Sequence, residues 1–119
     1  MPTPMENYAL RISDALGSRA RYEALAEECA ELAQACMKMC RAISGENPTP
    51  IDIGDAVDMV TDEMLDVISC IVVVSVSGSI SAGDTLALIE KMVTLNPKWE
   101  RWAERLGIGK RGDDGANTD

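Results

Sequence analysis

Between Ser18 and Ile43 the apolar residues recur with helical spacing. With successive residues about 100° apart, Tyr22, Leu25, Cys29, Leu32, Cys36, Cys40 and Ile43 fall on one face. Glu27, Glu31, Gln34 and Lys38 cluster on another, and Glu28 sits at the border between the two. This pattern predicts a long amphipathic helix with Ser18 as its N-cap and Ser44-Gly45 as its stop. Ahead of it, the first few residues carry two prolines and are expected to be loose. A short helix is expected from about Glu6 to Leu16, ended by Gly17.

The stretch Gly45 to Gly54, with its prolines and glycines, reads as a connector. A third helix is expected from about Asp55 to Ser77. Its second half, Val67 to Val76, is rich in β-branched residues and by propensity alone would be a strand. The helical spacing of DAVDMVTDEMLD and the absence of a breaker after Asp66 favour helix, since burial overrides propensity. Gly78 to Gly83 makes a turn. A further helix runs from about Asp84 to Thr94, and Asn96-Pro97 restarts it through Leu106, a place where proline is tolerated. The expected fold is all-α, a helical bundle of four to five helices. Residues 1–106 form one domain, and 107–119, Gly-rich and polar, a disordered tail.

Composition sharpens this picture. Nearly half of the 119 residues are apolar, yet Phe is absent and aromatics are few. The core must be built from Ala, Val, Ile, Leu and Met, and so thin a core favours completion by oligomerisation, as a homodimer or homotetramer. The net charge of −9 argues against a nucleic-acid polymer or an anionic membrane as partner, while leaving open a small phosphorylated substrate bridged by cations. No His is present, which removes His-based catalysis and His metal ligands. The opening MPTPMENYAL lacks the features of a signal peptide, and the apolar run Val67 to Val76 is far shorter than the roughly 20 residues that span a bilayer. A cytoplasmic protein with free thiols is expected. Cys29, Cys36 and Cys40 are read as packing residues, although Cys36 and Cys40 at i, i+4 also have the spacing of a soft-metal pair. Cys70 is expected to pack beneath Asp66.

Two acidic clusters carry the candidate chemistry, Glu27-Glu28-Cys29-Ala30-Glu31 and Glu63-Met64-Leu65-Asp66. Each holds a carboxylate pair three residues apart, roughly 5–6 Å at Cβ on a helix, where like charges repel. If the two helices pack antiparallel, four carboxylates converge on an oxygen-only site that suits Mg²⁺ or Mn²⁺ better than Zn²⁺. On spacing alone, the alternative is two solvated acidic faces.

The pattern EExxE (Glu27, Glu28, Glu31) followed by ExxD (Glu63, Asp66) resembles the MazG-like and dimeric dUTPase-like superfamily of all-α nucleoside triphosphate pyrophosphohydrolases. The resemblance extends over roughly residues 18 to 106 and includes Asn96-Pro97-Lys98-Trp99-Glu100-Arg101, similar to the family's C-terminal helix. The stretch between Glu31 and Glu63 is long for that family. The resemblance implies a hydrolase that cleaves a nucleoside triphosphate to the monophosphate and pyrophosphate. It further implies that Glu28, Glu31, Glu63 and Asp66 hold magnesium and that Glu27 orients the site or the attacking water. Lys38, Lys98 and Arg101 would meet phosphate oxygens, and Asn96 the base or sugar. Tyr8, Tyr22, Trp99 and Trp102 are the aromatics available to stack on a base, with packing the competing role for the Trp pair. The rival reading is a non-catalytic helical module of the same fold that binds a nucleotide or a protein.

Overall fold

The computed structural model describes residues 3–45, 51–77 and 79–109, and these residues form four helices: α1 (Pro4–Ser44), α2 (Ile53–Ser75), α3 (Ala82–Thr94) and α4 (Lys98–Arg105). The all-α expectation holds among them, with a single isolated bridge between Ser77 and Ile80. The expected connector residues 46–50, Gly78 and the tail from residue 110 lie outside the described residues.

α1 begins earlier than the periodicity predicts because Thr3 and Glu6 form a capping box. Glu6 N–H donates to Thr3 Oγ1 at 3.2 Å, and Thr3 N–H donates to Glu6 Oε2 at 3.1 Å. Pro4, at the first helical position, loses no hydrogen bond there. The expected break at Gly17 is present as an elbow, with Gly17 at φ 74° and ψ 169° between two helical arms, 4–16 and 18–44. Ser18 does not play the expected capping part. Its Oγ instead accepts from Arg21 Nη2 at 3.0 Å, while Arg21 Nη1 donates to Ser13 Oγ at 2.6 Å across the elbow. Ser13 is wholly buried, so Arg21 supplies the partner its hydroxyl needs.

α2 starts on Asp52, whose Oδ2 accepts from Asp55 N–H at 3.2 Å, and continues unbroken through the β-branched run. Burial explains why helix wins there: Val72 is 2% exposed and joins Ala9, Val76 and Ala82 in a small core, with Met5, Leu10 and Leu86 packed against it. The N-terminal arm of α1 thus covers the second half of α2.

The longer arm of α1 packs along α2. Its covered positions include Leu25, Glu28, Leu32, Ala35, Met39 and Ala42, and those of α2 include Ala56, Met59, Glu63, Val67 and Cys70. This corrects the expected face. Cys29, Cys36 and Cys40 are exposed, as are Tyr22 and Ile43, so in the single chain they do not pack. Ala35 on α1 and Ala56 on α2 bury almost completely, and side chains this small permit a close approach of the helices on that side.

The chain groups into two compact units, Met1–Leu86 and Ala87–Asp119, which divide within α3. In the second unit Trp99 Nε1–H donates to the Val93 carbonyl at 2.6 Å, and the Trp99 and Trp102 rings stack with centroids 6.3 Å apart.

Candidate metal centre

Glu28 and Glu31 lie three residues apart on α1, and Glu63 and Asp66 three apart on α2. Both pairs sit at mid-helix, far from the caps, where helix geometry fixes their spacing. The packing of the two helices brings Glu28, Glu31 and Glu63 together, with one carboxylate oxygen of each inside a group spanning 4.8 Å. Glu28 and Glu63 are half-buried on the facing surfaces, and Glu31 is exposed at the rim. The fourth expected ligand, Asp66, stands beside this group and acts on both Glu28 and Glu63 through its charge.

The electrostatics are those of a site short of positive charge. Desolvation raises the pKa of Glu28 above the ordinary glutamate value, and repulsion from Glu31, a carboxyl–carboxylate hydrogen bond with Glu31, and repulsion from Asp66 and Glu63 raise it further. Desolvation likewise raises Glu63, followed by Glu31, Asp66 and Asp62. Glu28 Oε2 and Glu63 Oε2 are shielded from solvent and have no hydrogen-bond partner. An unsatisfied buried carboxylate oxygen is costly, and no Lys or Arg side chain forms an ion pair with either group among the described residues. A hard cation with oxygen ligands would satisfy both atoms, so the donor set fits Mg²⁺ or Mn²⁺.

Cys70 lies next to this group, as expected. Burial raises its thiol pKa, and Glu28, Asp66 and Cys29 add to the shift, which keeps the thiol in its neutral form near neutral pH. Asp62 was not singled out from the sequence. The acidic run Asp62-Glu63 was its signal, and its charge adds to that on Glu63.

The remaining expected residues are placed as follows. Glu27 is exposed on α1 and stands outside the carboxylate group, and Lys38 is exposed two turns beyond Glu31. Asn96, Lys98 and Arg101 belong to the second unit. There Asn96 Oδ1 accepts from Lys98 N–H at 2.9 Å, a local turn that leads into α4. Lys98 Nζ sits 5.9 Å from the Trp102 ring centroid, and Lys98, Arg101, Glu104 and Arg105 line an open hollow of about 590 Å³.

In comparison with known proteins, the chain matches no family model, no curated sequence and no solved structure.

Proposed function

We propose that the protein is a magnesium-dependent nucleoside triphosphate pyrophosphohydrolase. The observation that carries this reading is the convergence of Glu28, Glu31 and Glu63 within 4.8 Å, with two of their oxygens buried and unpartnered. The EExxE and ExxD motifs that supply these residues resemble those of the MazG-like superfamily. In this reading Glu28, Glu31, Glu63 and Asp66 hold the cation, which supplies charge neutralisation and lowers the pKa of bound water. Glu27 orients the site or the attacking water. Lys98 and Arg101 offer cationic groups for phosphate oxygens, Lys38 a further one beyond Glu31, and Asn96 a polar group for base or sugar. The protein works as a cytoplasmic homo-oligomer, since its own core is made of small residues.

The test is release of pyrophosphate from a panel of ribo- and deoxyribonucleoside triphosphates with Mg²⁺, set beside calorimetric titration of Mg²⁺ or Mn²⁺. Turnover of at least one triphosphate, with metal binding lost in Glu31→Ala, is the expected result. Metal binding with no turnover of any nucleotide would leave the non-catalytic nucleotide-binding module. No metal binding at all would reject the site.

A further inference from the structure

The structure removes the packing role expected of the cysteines near the end of α1. Cys36 and Cys40 lie four residues apart with both thiols free and both residues exposed, and Met37, three residues before Cys40, is 56% exposed. With about 100° between successive residues, Cys40 stands between Cys36 and Met37 around the helix axis, so the three side chains share one patch. Side chains three and four apart on a helix have their Cβ atoms about 5–6 Å from one another. A disulfide needs about 3.5–4.5 Å between its Cβ atoms, so a regular helix keeps Cys36 and Cys40 from closing on each other. Two thiolates on one ion are a different matter. With metal–sulfur bonds of about 2.3 Å, as to zinc, they stand up to about 4.6 Å apart, within reach of side chains so rooted. Cys29 is seven residues from Cys36, about 10 Å along the axis, and cannot share that ion.

We propose that Cys36 and Cys40, with Met37 as a third donor, bind a soft monovalent cation, Cu(I). Thiolate and thioether sulfur select soft metals over hard ones. Zn²⁺ also takes thiolates, but a closed zinc site wants four ligands. The chain has no His, and among the described residues neither cysteine belongs to a group of three Cys, Asp or Glu side chains that could hold one ion. Cu(I) is complete with two or three sulfurs, which is what this patch offers. The unbranched Met37 side chain, with three rotatable bonds, can swing its thioether toward the pair. Binding moves no electrons. Each thiol gives its proton to solvent as its sulfur takes the ion, so affinity rises with pH. The patch is separate from the carboxylates: Cys36 is five residues beyond Glu31, about 140° around α1, and the oxygen donors there suit hard cations. The two sites therefore sort metals by donor softness.

The test loads the full chain with Cu(I) kept reduced by ascorbate, in millimolar glutathione so that a stray surface thiol is outcompeted, and measures the copper that stays with the protein through gel filtration. The wild type is expected to keep a single Cu(I) per chain, with excess Mg²⁺ making no difference, and to lose Zn²⁺ under the same conditions. Cys36→Ser and Cys40→Ser, both at exposed helix positions, are each expected to lose the retained ion with helical circular dichroism unchanged. Cys29→Ser and Cys70→Ser are expected to keep it. Met37→Leu is expected to release copper at a lower glutathione concentration than the wild type. A wild-type chain that keeps no copper, or one whose copper survives Cys36→Ser, would overturn the site. One ion for every two chains would overturn binding within a single helix, and a Met37→Leu chain that holds copper as the wild type does would remove the thioether from it.

Discussion

Gly17→Ala tests the elbow that lays the N-terminal arm on α2. At φ 74° and ψ 169° Gly17 lies outside even the left-handed helical well, in a region that only glycine occupies freely. A Cβ built there meets nothing within 4 Å, so the substitution introduces backbone strain without a steric clash. Strain of this kind costs about 1–3 kcal/mol. Alanine's smaller unfolded-state entropy returns about 0.4–1 kcal/mol, which leaves a net loss centred on about 1.3 kcal/mol. Straightening α1 would avoid the strain, but it would strip Met5, Ala9 and Leu10 from Val72, Val76 and Ala82 and break the Arg21 bond to Ser13, a larger loss. The bent form should therefore persist in a weakened state. For a domain of this size the melting temperature should fall by about 5–10 °C. The measurement is thermal and urea denaturation followed by far-UV circular dichroism, at one protein concentration because association shifts apparent stability. A variant as stable as the wild type, or more stable, would refute the claim that the elbow is held against strain.

Three further outcomes follow from the site and the elbow. Asp66→Ala should abolish turnover while keeping the fold, a loss larger than the roughly 10–100-fold typical of partners behind the ligands; full activity would remove Asp66 from the site. In metal-free protein Glu28 and Glu63 have raised folded-state pKa values, so the folded chain holds protons that the unfolded chain releases. That contribution is complete below the ordinary glutamate range and is lost as pH rises through the raised values, so Glu28→Gln with Glu63→Gln should flatten the decline of melting temperature with rising pH over that window. Arg21→Met should cost about 1–3 kcal/mol by leaving the buried Ser13 hydroxyl unpaired, and adding Ser13→Ala should recover part of it, read from urea midpoints.

The helices were legible in the sequence because their start and stop residues act locally. Gly17 and Gly45 act through their own backbone, and the break and the stop they mark are both in place, whereas α2 starts at Ile53 on the Asp52 cap and not near Asp55 as expected. The identity of α2 as a helix was legible only by setting its spacing against the propensity of Val67–Val76. The orientation of α1 was not legible. The helical spacing groups Leu25 and Leu32 with Cys29, Cys36 and Cys40 on one apolar face, whereas the structure covers its Leu25–Leu32 edge together with Met39 and leaves the three cysteines exposed. What decides which edge is covered is the close approach of α1 and α2, where Ala35 and Ala56 both bury almost completely, and small side chains do not announce it. The same rotation moves Glu28 from the border of a face into the contact between helices. The carboxylate spacing along each helix was plain from the sequence, but that Glu63 would meet both Glu28 and Glu31 depended on the register between two helices. Arg21 bridging Ser13 and Ser18 was likewise invisible, because it depends on the bend between them.

The grouping of the chain into two units divides its chromophores. Both tyrosines, Tyr8 and Tyr22, belong to the unit that holds the elbow and the carboxylates, and both tryptophans, Trp99 and Trp102, to the other. Emission excited selectively at the indole rings therefore follows only the C-terminal unit and is blind to the acidic one. Comparing indole emission with tyrosine absorbance in a single melt asks directly whether the two units unfold together or one after the other. The chain carries, unlabelled, a separate optical reporter for each half of its own cooperativity.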